Sequence, residues 1–270
     1  GRSFDLPVAS AQVKSALILA GLRAAGETIV REPANSRDHT ERMLQEFGVN
    51  LERSDKQIKV GGGGVLRGKR VHVPGDISSA AFFLVLGSLV GAGEIILPNV
   101  GVNPTRAGVL EALRDMGADI TESERSDIDN EPQATLTVRP AKLHGIEISG
   151  EIIPRLIDEL PILAVAASLA EGETVIRDAA ELRVKETDRI QTLVEGLRAI
   201  GAQVEEMPDG MRIRGKTQLP GGQAASHGDH RLAMAWTIAG VLSQNGVSLS
   251  GMEAASVSYP DFYRDIQSLV

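Results

Sequence analysis

Seven consecutive residues, Arg183-Val184-Lys185-Glu186-Thr187-Asp188-Arg189, hold three cations and two carboxylates between two apolar, helix-like segments. If the stretch is helical from about Glu186, Lys185 and Arg189 lie four apart and share a face, and Glu186 and Arg189, three apart, are neighbours. A carboxylate and two cations on one surface suit holding an anion while moving a proton. The plainer alternative is a salt-bridged, solvated helix face, the usual fate of a charge run.

The surrounding chain has 270 residues and a net charge of −8. Its length predicts a large core and two domains, and its composition that of a soluble globular protein. The acidic balance argues against a general nucleic-acid binder, which needs a basic face for phosphates. A local positive cluster for a small anion remains compatible with it. The absence of cysteine excludes disulfides, a thiolate nucleophile and a cysteine metal site, and fits a reducing, cytoplasmic compartment. Apolar runs of about 12 to 15 residues are too short to span a bilayer. No signal peptide is visible, and the first residues read as the middle of a longer protein. The histidines His39, His72, His144, His227 and His230 lack the i, i+4 pairing of zinc enzymes, so no metal site is expected. No dinucleotide or P-loop glycine pattern occurs, and Gly61 to Gly64 reads as a turn between units.

Stepping along the chain, one pattern recurs at roughly 70 to 80 residues. Each copy reads strand, helix, strand, helix, strand, strand. The first opens at Leu6-Pro7-Val8 and closes on Gln57 to Val60. The second opens with a strand at Val71-His72-Val73 and closes on Thr135 to Val138. The third runs from Ile146 to Arg214, and a shortened fourth begins near Ser226. The first helix of a unit is apolar nearly all round at Ala80 to Val90, Pro161 to Ala170 and Leu232 to Leu242, which predicts helices buried inside a core. The closing strands alternate polar and apolar and should have one face in water. The predicted fold is α/β, with repeated βαβαββ units, parallel helices within and sheets outside.

Parallel inner helices gather their N-termini, each with about half a positive charge and unpaired N–H groups. Together they make an anion site. Ser10-Ala11-Gln12, Asp76-Ile77-Ser78-Ser79 and Asp229-His230-Arg231 all fall there. Each has a bland reading. Ser10, Asp76, Ser78 and Ser79 could simply cap helices. Arg37 could pair with its neighbour Asp38. Asp158 could serve the dipole of the third helix, which would make it a weak base. Arg231 is the exception, because a cation at a positive helix end is unfavourable unless an anion binds there.

These stretches resemble the 5-enolpyruvylshikimate-3-phosphate (EPSP) synthase family of enolpyruvyl transferases. The matching segments are Ala9 to Ala16, Arg37 to Glu41, Val73 to Ala80, Asn103-Pro104-Thr105-Arg106, Ile157 to Pro161, Leu182 to Arg189, Gly228 to Met234 and Ser258-Tyr259-Pro260. The most specific are Val184 to Arg189 and Asp229-His230-Arg231. The resemblance implies two inside-out α/β barrel domains of three units each, closing over the ligands. It implies transfer of the enolpyruvyl group of phosphoenolpyruvate to the 5-hydroxyl of shikimate 3-phosphate, releasing phosphate, with no metal or organic cofactor. Asp158 and Lys185 would meet the shikimate hydroxyls, with Asp158 the base, and Glu186 would move the proton at the methylene carbon. Ser10, Ala11, Gln12 and Arg37 would hold shikimate 3-phosphate. Gln12, Arg189 and Arg231 would hold phosphoenolpyruvate, with Asp76, Asp229 and His230 in support. Ala11 replaces a serine of some members, and Val257 stands where some carry a lysine.

The family's opening Gly-Asp-Lys-Ser motif and its Gly-Asn-Ala/Ser-Gly-Thr loop are absent. The chain therefore reads as residues 1–70 of a remaining N-terminal domain and 71–270 of a C-terminal domain, incomplete at the N-terminus. In isolation it is expected to have little activity, and its first apolar helix to find a complementing N-terminal chain, to self-associate or to be poorly ordered. No nucleic-acid or membrane partner is expected. The alternatives are UDP-N-acetylglucosamine enolpyruvyl transferase, built from the same unit, and a binding-only fragment. The Lys185-to-Arg189 run and Asp229-His230-Arg231 favour the shikimate enzyme over the first; the intact charged stretch speaks against the second, which the missing length keeps open.

Overall fold

A computed structural model describes residues 1–269. The first unit is β1 (Ser3–Asp5), α1 (Ala11–Gly21), β2 (Glu27–Arg31), α2 (His39–Glu46), β3 (Leu51–Ser54) and β4 (Gln57–Gly61). Its sheet order is β1-β2-β4-β3, with β1 parallel to β2 and the other pairs antiparallel. The second unit is α3 (Ile77–Leu89), β5 (Ile95–Gly101), α4 (Gly108–Asp115), β6 (Asp119–Ile128) and β7 (Glu131–Arg139). Its antiparallel sheet runs β5-β7-β6. The third is β8 (Glu147–Ile148), the short α5 (Ile153–Leu156), α6 (Leu160–Leu169), β9 (Glu173–Ile176), α7 (Arg189–Ala199), β10 (Gln203–Met207) and β11 (Gly210–Arg214), with sheet order β10-β11-β9-β8. The last is β12 (Gly222–Ala225), α8 (His230–Leu242), β13 (Val247–Ser250) and α9 (Phe262–Gln267).

The repeat has a local cause at the end of each second helix. Gly48, Gly117 and Gly201 adopt φ of 86°, 94° and 93°, a left-handed conformation that costs glycine nothing. In each case the next residue reaches back to the helix, Val49 N to Leu44 O, Ala118 N to Leu113 O and Ala202 N to Leu197 O, all at 2.9 Å. This is the glycine stop that ties off the last turn and sends the chain into a strand.

The apolar helices α3, α6 and α8 pack together in one core that runs from Ile77 to Ile266. The lengths of side chain on all their faces leave no polar stripe for water, so burial on every side is the only low-energy placement. Their first turns converge on Glu159, before α6: Ser78 of α3 donates to its Oε1 at 2.6 Å, and Arg231 Nη1 of α8 lies 3.6 Å from the same oxygen. A separate small cluster, Ile18, Leu22, Val30, Leu44, Val49, Leu51, Ile58 and Val60, serves the first unit. There α1 buries only Lys14, Ile18 and Gly21, leaving Val13 and Leu19 about half exposed.

One expectation changes and one holds. Residues 71–73 form no strand; Gly75 makes one isolated bridge to Val100, and Val73 is exposed. Pro74 offers no N–H there, and among the described residues no strand pairs with 71–73. The fourth unit is short, as the sequence indicated, with only the parallel pair β12-β13 among the described residues where the third unit has four strands.

Candidate active site

The charged stretch is not a helix from Glu186. Ala180–Val184 is a 3-10 turn, Lys185 is extended, and α7 begins at Arg189. Asp188 ends the loop because its carboxylate accepts from Gln191 N at 3.1 Å and caps the helix. Arg183 fastens the loop from behind. It donates to Asp188 Oδ2 (2.8 Å), Pro208 O (2.7 Å) and Met207 O (2.8 Å). Arg183 and Asp188 are thus structural partners. Lys185 and Arg189 share a site through the loop's path and not through a helix face. Glu186 does meet Arg189 three residues on.

The loop closes one side of a cavity of about 440 Å³ lined by Gln12, Ser36, Arg37, Asp158, Glu181, Lys185, Glu186 and Arg231, with Ala11 at the α1 end. Asp158 is its centre. Arg37 Nη2 donates to Asp158 Oδ2 at 2.5 Å. Arg106 Nη2 and Arg231 Nη2 lie 3.8 Å from Asp158 Oδ2, while Arg189 Nη1 lies 3.8 Å and Lys185 Nζ 3.9 Å from Oδ1. Burial would push this carboxyl up, but the charges of Arg231, Arg37 and Arg106 outweigh it and hold Asp158 well below the usual carboxylate range. Five cations converge on Asp158, but Glu159, Glu181, Glu186 and Asp229 pair with Arg106, Lys185 and Arg189, so the cavity is a network of matched charges in which Arg37 and Arg231 rest chiefly on Asp158.

Arg37 does not pair with Asp38, as its sequence neighbourhood allowed. Asp38 is buried and held by Arg42 and Asn103, which frees Arg37 for the cavity. The helix caps are real: Ser10 accepts from Val13 N, Asp76 from Ser78 N, and Asp229 from Arg231 N at 2.8 Å. Ser10 and Asp229 do not line the cavity themselves; Ala11, Gln12 and Arg231, in the first turns of the helices they cap, do. Arg231 projects onto the Asp158 backbone, Nη1 to O at 3.2 Å. Burial, and then the adjacent Arg231 charge, push the His230 imidazole below its usual range.

Some expected residues stand back from the cavity. Arg189 is buried against Asp229 and presents only Nη1 toward Asp158. Asp76 faces a second space of about 440 Å³ beyond Arg37 and Arg231, bordered by Val71 and Val73. Val257 is exposed. Other residues escaped sequence reasoning. Glu181 takes Lys185 Nζ at 2.5 Å. Lys14, fully buried in α1, pairs with Glu32 at 3.1 Å and Glu41 at 2.8 Å. Its one signal was a lone lysine inside an apolar helical run.

A family model of EPSP synthase (3-phosphoshikimate 1-carboxyvinyltransferase) matches residues 1–266. A 3-phosphoshikimate 1-carboxyvinyltransferase of Desulfitobacterium hafniense is 65% identical over 269 residues, covering 100% of this chain and 62% of that protein. One of Bacillus licheniformis is 52% identical over 267 residues, covering 98% and 62%. The structure of EPSP synthase from Acinetobacter baumannii superposes with a TM-score of 0.90 at 44% identity, covering 97% of this chain and 61% of that one. The enolpyruvyl transferase NikO from Streptomyces tendae, at 20% identity and a TM-score of 0.78, shares the fold. The chain spans about three fifths of the length of the curated relatives it matches. With units of one pattern, buried helices whose first turns gather at a cavity of paired charges and a family match across nearly every residue, the chain belongs to the EPSP synthase family.

Proposed function

We propose that this chain carries the proton-moving part of a 3-phosphoshikimate 1-carboxyvinyltransferase, which joins the enolpyruvyl group of phosphoenolpyruvate to the 5-hydroxyl of shikimate 3-phosphate. The observation that carries the reading is the convergence of Arg37, Arg106, Lys185, Arg189 and Arg231 on Asp158. Two polyanionic substrates need such a cluster, and the reaction needs a carboxylate at its centre.

In the addition step the 5-oxygen attacks C2 of phosphoenolpyruvate while C3 gains a proton. The hydroxyl proton goes to Asp158, and Glu186, half exposed at the cavity wall, supplies the C3 proton. Elimination then expels phosphate as C3 returns a proton to Glu186. Asp158 is a poor base while it neutralises Arg37 and Arg231. When substrate phosphate and carboxylate groups take over those guanidinium groups, its proton affinity rises toward the working range. Lys185 meets the shikimate hydroxyls, and Ser10, Ala11, Gln12 and Arg37 hold shikimate 3-phosphate. Arg231 holds phosphoenolpyruvate through its planar donor fork, with the Gln12 amide and Arg189 Nη1 as single donors beside it. Asp229 and His230 support Arg231.

Residues 1–70 are read as part of one domain and 71–270 as another; the separate hydrophobic clusters on either side of residue 70 support this. The reading places the protein in the cytoplasm. Full turnover calls for the portion of the relatives' length that this chain does not span, on one polypeptide or as a complementing chain; without it the exposed side of α1 would self-associate. The test is phosphate release on mixing both substrates, with and without that portion. Turnover only in its presence is expected. Failure of shikimate 3-phosphate to support phosphate release in either case overturns the reading.

A further inference from the structure

The turn Asn103-Pro104-Thr105-Arg106 does not line the cavity around Asp158, yet it is bonded to both sides of it. Toward the first unit, Asn103 Nδ2 donates to Asp38 Oδ1 at 2.8 Å, and Thr105 Oγ1 accepts from the Asp38 N–H at 3.2 Å. Asn103 Oδ1 also accepts from Thr105 N at 2.9 Å, which fixes the turn's own shape. Toward the third unit, Arg106 forks onto Glu159, Nη1 to Oε2 at 2.6 Å and Nη2 to Oε1 at 2.7 Å. Ser78 Oγ, from the first turn of α3, donates to the same Glu159 Oε1 at 2.6 Å. Asp38, Asn103, Arg106 and Glu159 are all buried, so these bonds act in a low dielectric and resist displacement by water.

The two carboxylates gripped by the turn are the sequence neighbours of the two residues that meet in the cavity. Arg37 precedes Asp38, and Asp158 precedes Glu159. In each pair one side chain enters the cavity and the next enters the turn. Arg37 and Asp158 are 121 positions apart and belong to different units, so their spacing depends on something that holds both backbones.

We propose that the Asn103–Arg106 turn is a positioning element that sets the gap between Arg37 and Asp158 by holding Asp38 on one side and Glu159 on the other. The inference rests on the synthase reading above, with Arg37 on the substrate anion and Asp158 at the transferred proton. Arg106 stops 3.8 Å short of Asp158 and acts through Glu159. A lysine could supply the charge but not the two parallel bonds of the fork. If the buried pair only stabilised the fold, apolar side chains of similar volume would replace it with little loss. A pair that positions the site has no such substitute.

The experiment uses this chain together with the remaining portion of its relatives' length. The double variant Arg106→Met/Glu159→Leu removes both buried charges at once and is expected to fold with a Tm near the parent's. Its kcat is expected to fall roughly 10- to 100-fold, the scale of a small misplacement of reacting groups. The double variant Asn103→Ala/Thr105→Val instead cuts the turn's bonds to Asp38 and leaves those from Arg42 and Arg53. It is expected to raise KM for shikimate 3-phosphate by about tenfold while KM for phosphoenolpyruvate stays within about twofold. Arg106→Lys keeps the charge and the fold, and its kcat should remain well below the parent's. A folded Arg106→Met/Glu159→Leu protein with parental kcat and KM overturns the proposal. So does an Asn103→Ala/Thr105→Val protein in which both KM values move together. Should the first double variant fail to fold, parental kinetics in Arg106→Lys overturn it equally. A parent without turnover counts against the synthase reading; the positioning role is then decided by calorimetric affinity for shikimate 3-phosphate, which must weaken in the Asn103→Ala/Thr105→Val protein.

Discussion

Arg189 Nε donates to Asp229 Oδ2 at 2.6 Å, and both side chains are sealed from solvent at 1% and 0% exposure. The same Asp229 carboxylate accepts from Arg231 N at 2.8 Å as the cap of α8. One carboxylate thus orients both arginines assigned to phosphoenolpyruvate. It fixes Arg189 through its side chain and Arg231 through the start of its helix.

Replacing Asp229 should therefore cost more than an ordinary cap. Asp229→Ala leaves the buried Arg189 with only the half-exposed Glu186 as a firm partner and uncaps α8. Loss of one partner of a buried pair costs about 3 to 5 kcal/mol, and urea unfolding should read a loss in that range. A loss below about 1 kcal/mol, the size of a cap alone, would show that the pair contributes nothing.

Asp158 should separate binding from chemistry. Asp158→Asn removes the negative charge that now neutralises Arg37 and Arg231. Affinity for an anionic substrate should rise in calorimetry. Turnover should fall by about 10² or more, the usual contribution of a general base. Equal weakening of both would place Asp158 in a structural role.

Asp38 predicts an acid-labile joint. Burial alone would raise its carboxyl, but bonds from Arg42, Asn103 and Arg53 outweigh it and hold it down, to about 2 from 3.8. A depressed carboxyl stabilises the folded state fully above its unfolded value. That stabilisation fades as pH falls from about 4 toward 2 and amounts to about 2 kcal/mol. The difference in unfolding free energy between the parent and Asp38→Asn should shrink by that amount across this window. A difference independent of pH would remove the assignment.

Gly196 tests the packing that seats α8. A methyl group there would fall 2.3 Å from Trp236 Cζ2, and Trp236 is wholly buried. Alanine would gain about 1 kcal/mol of helix propensity in α7. Overpacking a fixed indole costs about 1 to 3 kcal/mol, and a tryptophan locked by its Nε1 bond to Ala225 O has little room to yield. Gly196→Ala should lower stability by about 1 to 2 kcal/mol in thermal unfolding. A rise in Tm would mean the indole moves freely.

Much of the fold was legible along the chain because its signals are local. Glycine after each second helix, apolar runs with no polar face, and Ser10, Asp76 and Asp229 at helix starts all act within a few residues of themselves. The helix expected from Glu186 failed because Asp188 is a stronger start signal than the charge spacing is a helix signal. A strand at 71–73 failed because a strand needs a partner, and pairing is not written in the residues that would pair.

The amino-acid sequence by itself determined which residues carry charge, where helices stop, and that the Lys185-to-Arg189 stretch differs from its counterparts in the other units. Tertiary structure alone decided which of those charges meet. Arg37 turns from Asp38 to Asp158 because Asp38 is taken by Arg42 and Asn103. Lys185 rests on Glu181, and Arg106 reaches Glu159 across 53 positions. An ion pair between distant residues depends on the sum of all the backbone turns between them, and on burial that no residue carries alone. The stretch from Arg183 to Arg189 supplies side chains; the packed helix ends around Asp158 give them something to act on.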